Sequence, residues 1–372
     1  MASISRESVL NALRNVQDPD LGQDLVTLGM VQDLEVAPSG QVSVRIVLTT
    51  PACPLKGKIE QDVRDAIQSV PGAGPIQIKM DAQVRGRTAS VGAPQASNAI
   101  PGVQHIIAVS SGKGGVGKST VAVNLATSLA LEGARVGLMD ADVYGPNIPT
   151  MMGVTEQPRI ENDPKLGEIF IPPTAQGVKV MSMGFLIQGD QPLVWRGPML
   201  HSVVSQFCHK VQWGELDYLI VDMPPGTGDV QLSLAQLVPV TGAVLVSTPQ
   251  EVSMQDVRKA FHMFDKVRVP ILGIVENMSY FEDPAGIRHH LFGKDGGKLL
   301  AKKFNVDFLG ELPIVQAVRE GGDEGRPIVV RAPEAPVAQS LRTLARKVAQ
   351  KVSVLALHGG GPGAQVEFGK FD

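Results

Sequence analysis

The stretch Ser110-Ser111-Gly112-Lys113-Gly114-Gly115-Val116-Gly117-Lys118-Ser119-Thr120 decides the fold. It fits the pattern G-x-x-x-x-G-K-[ST], in which a glycine-rich turn cradles a phosphate. Its surroundings agree. His105 to Val109 is an apolar run that predicts a buried strand. From Thr120 to Leu131, Val121, Ala122, Leu125, Ala126 and Leu129 keep helical spacing. Glycines let successive N–H groups turn inward around an anion, and the helix N-terminus adds partial positive charge. Lys118 is then placed to reach β- and γ-phosphate oxygens, and the Ser119 hydroxyl to hold Mg²⁺. The binding loop comprises Gly112, Lys113, Gly114, Gly115, Val116, Gly117, Lys118, Ser119 and Thr120. ATP and Mg are its expected ligands.

Bulk properties set bounds around this loop. A chain of 372 residues predicts two domains, and 43% hydrophobic residues suffice for packed cores. Aromatics at 4% and 40 glycines suit an α/β protein with many strand-to-helix turns. A net charge of −3 argues against a general basic surface for nucleic acid. No apolar stretch reaches the roughly 18 residues of a membrane span. The N-terminus, with Arg6 and Glu7 inside a helical pattern, lacks the apolar region of a signal peptide. Two cysteines, Cys53 and Cys208, exclude a disulfide framework, and a cytoplasmic protein is expected.

Beyond the loop, strands and helices alternate. Arg135 to Asp140 predicts a strand that delivers Asp140-Ala141-Asp142-Val143-Tyr144-Gly145-Pro146-Asn147. Carboxylates at the C-terminal end of a strand beside a phosphate site suit a switch contacting metal and attacking water. Asp142 is assigned to orient the water and Asp140 to the outer shell of the metal, with the two roles exchangeable. Tyr218 to Asp222 is an apolar strand ending in an acid, so Asp222 is expected to hold Mg²⁺ through water. In the following Pro224-Pro225-Gly226-Thr227-Gly228-Asp229, Gly226 can offer its N–H to a γ-phosphate. Residues 151–194 are less regular. Runs at Glu168 to Ile171 and Val178 to Phe185 read as an insertion, before a helix opened by Trp195-Arg196-Gly197-Pro198-Met199 that carries Cys208 in a structural role. Gly242 to Thr248 and Ile271 to Val275 are further strands. The helix between them places Val252, Val257, Ala260, Phe261, Phe264 and Val267 on one face. Phe308 to Pro313 reads as an edge strand. The last helix, Ala335 to Leu357, pairs an apolar face with Arg342, Arg346, Lys347 and Lys351. Such a helix either packs on the sheet or lies on a membrane.

The front of the chain reads as helix (5–16), two strands (Met30 to Val36 and Val42 to Leu48), a helix ending near Ser69 and a short strand from Ile76 to Met80. Together these form a small α+β domain over residues 1–86. Cys53, after a strand and before a helix, is either a thiolate activated by the helix N-terminus or a small buried hydrophobe. Residues 87–102 read as a linker, 103–357 as the nucleotide-binding domain, and 358–372 as a flexible tail.

Lys113, a second lysine near the start of the loop, resembles the deviant Walker A ATPases (the ParA, MinD and nitrogenase-reductase group). That resemblance implies a lysine crossing a dimer interface to the nucleotide of the partner; a cation supplied in trans adds about 10³–10⁵ in rate in related GTPases. The alternative is a solvated lysine on a mobile loop. Gly112 to Thr120, Asp140 to Asn147, Trp195 to Met199, Val221 to Asp229 and Glu276 to Phe281 together resemble the Mrp/ApbC family of iron–sulfur cluster carrier ATPases. Asp18-Pro19-Asp20 and Thr49-Thr50-Pro51-Ala52-Cys53-Pro54 resemble the small domain of SufT-like assembly proteins. The resemblance implies an α/β P-loop NTPase with a mostly parallel sheet flanked by helices, preceded by the small α+β domain. It also implies a homodimer that hydrolyses ATP with Lys113, Lys118 and Asp142, and delivers iron–sulfur clusters to apoproteins. Asn277 is implied as a contact to the base. One departure stands out. Many members carry a C-x-x-C after the Asn-Met-Ser segment, whereas residues 281–290 hold no cysteine, which leaves Cys53 as the candidate iron–sulfur ligand. A nucleotide-switched scaffold of the ParA or MinD kind, without a cluster, is the alternative reading.

Overall fold

A computed structural model describes residues 4–84, 86, 99–186 and 197–357 of the chain. The expected linker falls largely, and the tail wholly, outside the described residues, as do Trp195 and Arg196. The described residues divide into two compact units. One comprises residues up to 86 together with 349–357, and the other residues 99–348.

In the smaller unit, helix Arg6–Leu13 starts from a capping box, in which Ser5 and Ser8 each accept the other's backbone N–H at 3.1 Å. Strands Val31–Val36 and Val42–Leu48 pair antiparallel, and Ile76–Ala82 pairs parallel to Val42–Leu48, which makes a three-stranded sheet. Val42, Val44, Ile46 and Leu48 are buried, as the alternation predicts. Helix Lys56–Gln68 covers them with Ile59, Val63 and Ile67, spaced three to four apart.

The larger unit is built on an eight-stranded sheet. Its order is Thr174–Ala175, Val178–Ser182, Val136–Asp140, Leu216–Asp222, Val103–Ser111, Gly242–Ser247, Ile271–Glu276 and Phe308–Glu311. Every pairing is parallel except the first. The central strands are buried along their whole length, which explains their unbroken apolar runs: a parallel sheet is covered on both faces. Helix Lys118–Leu131 is buried on nearly every side, and its small residues Ala122, Ala126, Thr127 and Ser128 let it lie close to its neighbours. Phe308–Glu311 is the edge strand the sequence predicts.

Two expectations need correction. Val178–Ser182 is not an insertion. It joins the main sheet beside Val136–Asp140, with Ser182 in register with Asp140. The irregular sequence before it is accounted for by a hairpin of Arg159–Asp163 with Gly167–Ile171. Val252 is 65% exposed rather than buried. It lies five residues before Val257 and so about 140° round the helix from the stripe of Met254, Val257, Ala260 and Phe264.

The terminal helix, Pro336–Leu357, packs rather than presenting an amphipathic face to solvent. Leu341, Leu344, Ala345 and Val348 are buried. Arg342 and Arg346 both donate to Glu132 Oε1, at 3.0 and 2.7 Å, and Lys347 donates to the Leu309 carbonyl at 3.0 Å. Those cations are engaged by protein, which removes the basis for a membrane-surface role. Among the described residues no helix is long and apolar enough to cross a membrane. With Leu344 only 1% exposed, Leu344→Ala should lower unfolding free energy by about 2–5 kcal/mol in urea titrations. A change below about 0.5 kcal/mol would place that face outside the core.

Candidate active site

The sheet brings the acids of two neighbouring strands to the mouth of the glycine-rich loop. Asp140 and Asp222 are the C-terminal residues of adjacent parallel strands and stand in register with each other. The next strand, Val103–Ser111, runs straight into the loop. Ligands of open parallel sheets bind beyond the carboxyl ends of the strands, and these residues occupy that position.

Lys118 opens the helix after the loop, with Gly117 as a left-handed N-cap at φ +82°. Its ammonium lies 2.8 Å from Asp222 Oδ1 and 3.3 Å from Asp142 Oδ2, and its side chain is only 6% exposed. Ser119 Oγ donates to Asp222 Oδ2 at 2.6 Å. Burial by itself would depress the ammonium, but the pull of Asp222, Asp142 and Asp140 outweighs it and holds Lys118 above the ordinary lysine range. Asp140 is fully buried and is pushed up to about 8, first by loss of solvation and then by repulsion from Asp222. Its carboxylate accepts from Ser182 Oγ at 2.8 Å, Asp142 N at 3.2 Å and Ile148 N at 3.3 Å. Asp140 therefore fixes the path of residues 140–148, while Asp142 faces Lys118.

The loop is held tightly from outside. A Cβ on Gly112 would lie 2.2 Å from the Asp256 carbonyl carbon, and one on Gly117 would lie 2.2 Å from Asn277 Nδ2. At Gly112 the neighbour is backbone and leaves no room for a side chain, while at Gly117 the left-handed φ of +82° is what favours glycine. Gly226, at φ +98°, donates its N–H to the Ser111 carbonyl at 3.1 Å. Asn277 donates Nδ2 to the Val116 carbonyl at 2.8 Å, so the donor of its amide is engaged by the loop. Lys113 is half-exposed, and its carbonyl accepts from Ser111 Oγ at 2.9 Å. Gly114 and Gly115 are exposed, whereas Val116 is buried.

Two residues that the motif reading misses contribute here. Ser182 bonds Asp140, and the buried Gln231 bonds Ser110 Oγ from the helix Asp229–Leu237. Both reach the site from elements distant in sequence. The sole signal for Ser182 was a polar residue following the strand-like stretch Val178-Lys179-Val180-Met181.

Mg²⁺ suits the oxygens gathered here. It takes one or two protein groups and fills the remaining positions with water and phosphate. Ser119 and Asp222 already share a hydrogen bond, with Asp142 beside the same lysine, a hard-oxygen set of that kind. Among the described residues no three His, Cys, Asp or Glu side chains converge to form a self-sufficient metal site. These residues would hold the ion only together with a phosphate chain.

Cys53 belongs to the smaller unit and is half-buried in a cleft lined by Asp18, Asp20, Thr50, Gln350 and Ser353. The thiol is pushed up to about 11, chiefly by burial, with Asp20 and Asp18 adding repulsion. This runs opposite to the lowering expected from a helix N-terminus. The helix begins only at Lys56, and the Leu55 and Lys56 N–H groups do not outweigh desolvation. Cys208 is buried and is pushed up to about 12 by burial, in keeping with a structural role.

The fold and the loop define a P-loop NTPase. Residues 102–349 match the family model of the NUBPL iron-transfer P-loop NTPases, and the chain belongs to that family. Residues 6–79 match the model of an iron-sulfur cluster assembly protein. The chain is 50% identical over 362 residues to the iron-sulfur cluster carrier protein of Synechocystis, covering 95% of this chain and 99% of that one. It is 51% identical to the iron-sulfur cluster carrier protein of Deinococcus radiodurans, over 94% of this chain and 97% of that one. A solved nucleotide-binding protein from Archaeoglobus fulgidus, in complex with ADP, is similar with a TM-score of 0.55 and 40% identity. It covers 63% of this chain and 91% of its own.

The Cys53 environment predicts how its thiol reacts. With a thiol near 11, iodoacetamide labelling of Cys53 should be slow at pH 7 and rise about tenfold per pH unit through pH 10. Peptide mass spectrometry reads the rate. A plateau below about pH 9 would contradict the buried, proton-holding thiol.

Proposed function

We propose that the protein is a Mg²⁺-dependent ATPase that works as a homodimer and carries iron–sulfur clusters to apoproteins. The observation that supports this best is the buried Lys118–Asp222–Ser119 constellation at the mouth of the glycine-rich loop, in a chain of the iron-transfer family. Asp222 and Asp142 neutralise Lys118. A β,γ-phosphate tail offers the lysine a stronger partner, and Lys118 turns from Asp222 and Asp142 to the phosphate oxygens. Ser119 and Asp222 would hold Mg²⁺, with Asp140 behind them. The metal, when bound, supplies charge neutralisation on the phosphate oxygens.

Once Lys118 has turned away, Asp142 is the carboxylate left facing the γ-phosphate position, and we assign it to orient the attacking water. Asp140 has its oxygens engaged by Ser182, Asp142 N and Ile148 N, which suits it to positioning. Gly226 exchanges the Ser111 carbonyl for the γ-phosphate. Lys113 acts across the dimer, where it adds positive charge to the nucleotide of the second copy.

The cluster is cargo. Cys53 is its proposed ligand here, and a pair of chains supplies two such thiolates, completed by exogenous or acceptor thiols. Iron replaces the proton that the cleft otherwise keeps on sulfur. Residues 281–290 hold no cysteine, so they supply no thiolate.

Steady-state ATP turnover tests the nucleotide half. Lys118→Ala should abolish turnover with Mg²⁺ present. Asp142→Asn should lower kcat at least about 100-fold with little change in KM. A Lys118→Ala protein that turns over at the wild-type rate would overturn the assignment.

A further inference from the structure

Three adjacent parallel strands end level with one another. Ser182, the last residue of Val178–Ser182, is in register with Asp140, and Asp140 is in register with Asp222. Two of these ends carry acids of the site, and the third carries a hydroxyl. Ser182 is fully buried, between Met181 and Met183, which are fully buried as well. A hydroxyl in such a place costs stability unless it is hydrogen-bonded, and alanine would fill nearly the same space without that cost. Ser182 both accepts and donates. Its oxygen accepts from Gly184 N–H at 2.9 Å, and its single proton is donated to Asp140 Oδ2 at 2.8 Å.

The Asp140 carboxylate gathers the 140–148 segment. Oδ1 accepts from Asp142 N at 3.2 Å and Oδ2 from Ile148 N at 3.3 Å, and both donors lie within the segment itself. Among the described residues, Ser182 is the one hydrogen-bond donor to this carboxylate from outside the segment. The same stretch meets the segment a second time. A Cβ on Gly184 would lie 3.2 Å from the Pro146 carbonyl oxygen, so the chain just after Ser182 runs against the 140–148 segment there too. Asp142 is held in turn: its Oδ1 accepts from Tyr144 N at 3.1 Å, and its Oδ2 lies 3.3 Å from Lys118 Nζ. Two hydrogen bonds through one carboxylate thus connect the buried serine with the backbone of Asp142.

We propose that Ser182 is a positioning residue for ATP hydrolysis, which acts through Asp140 to hold Asp142 where it orients the attacking water. Without the hydroxyl, the Asp140 carboxylate keeps only donors from its own segment, and the outer strand no longer fixes the aim of Asp142. A misplacement of about 1 Å can cost on the order of 100-fold in rate, so even a small loss of alignment registers in kcat. Lys118, Ser119 and the glycine-rich loop keep their contacts, so affinity for the nucleotide is retained. The inference rests on ATP hydrolysis at this site with Asp142 as the water-orienting carboxylate, and it adds the residue that aims that carboxylate.

ATP turnover at saturating Mg²⁺ tests it, in the full-length wild type, Ser182→Ala, Asp142→Asn and the double variant. Ser182→Ala should lower kcat about tenfold or more while KM for ATP stays within about threefold. In the Asp142→Asn background the same substitution should change kcat less than about twofold, because both act on one step through one group. Ser182→Cys keeps the bulk with a weaker donor and should fall between wild type and alanine; it carries the test if the alanine variant does not fold. A serine variant that folds and turns over at the wild-type rate would overturn the proposal. So would a loss expressed in KM alone, or a loss of equal size in the Asp142→Asn background. Each of these leaves the ATPase reading intact. Wild-type protein without turnover, or Asp142→Asn at the wild-type rate, overturns that reading and the proposal with it.

Discussion

The larger unit depends on one buried cation held among three acids. Lys118, 6% exposed in its side chain, faces Asp222 and Asp142, with Asp140 behind them. A buried ammonium without partners is costly enough to lose its proton, and ionised buried carboxylates without a cation are as unfavourable. Each side of the cluster makes the other tolerable. The arrangement requires two adjacent parallel strands ending in acids at the same register, with the third strand turning into the glycine-rich loop. That requirement accounts for the continuous apolar runs before Asp140 and Asp222 and for the full burial of the central sheet.

Closeness of packing does the rest. Gly112 touches the backbone of the helix Glu251–Lys266, and Gly117 touches Asn277. The loop is therefore not a free turn. Its backbone packs against the helix carrying Asp256 and against Asn277, and its Ser111 carbonyl accepts the Gly226 N–H. At Gly112 the glycine is demanded by a protein neighbour, the Asp256 backbone.

Much of this was legible in the sequence, and the reasons differ by residue. Lys118, Ser119 and Asp222 were legible because each sits at a fixed place in a strand–loop–helix or a strand–acid unit, where local chemistry dictates position. The capping box at Ser5 and Ser8 and the alternation from Val42 to Leu48 were local signals of the same kind. Val178–Ser182 was misread because a sheet neighbour is chosen by tertiary pairing, which leaves no periodic mark on so short a strand. Ser182 and Gln231 were invisible for the same reason: they act on Asp140 and Ser110 from far along the chain. The direction of the Cys53 shift was missed because burial, unlike nearness to a helix, cannot be counted along the sequence.

Cys53 is the cluster ligand proposed for this chain, whose one other cysteine, Cys208, is buried. The central claim, that this P-loop NTPase carries a cluster, is tested most directly by anaerobic reconstitution with iron and sulfide. Visible absorbance and bound iron per chain are read for wild type and Cys53→Ala, followed by mixing with an apo-ferredoxin acceptor with and without ATP. The account predicts a chromophore in the wild type that is lost in Cys53→Ala and passes to the acceptor. Wild-type protein that turns over ATP yet retains no iron would contradict it.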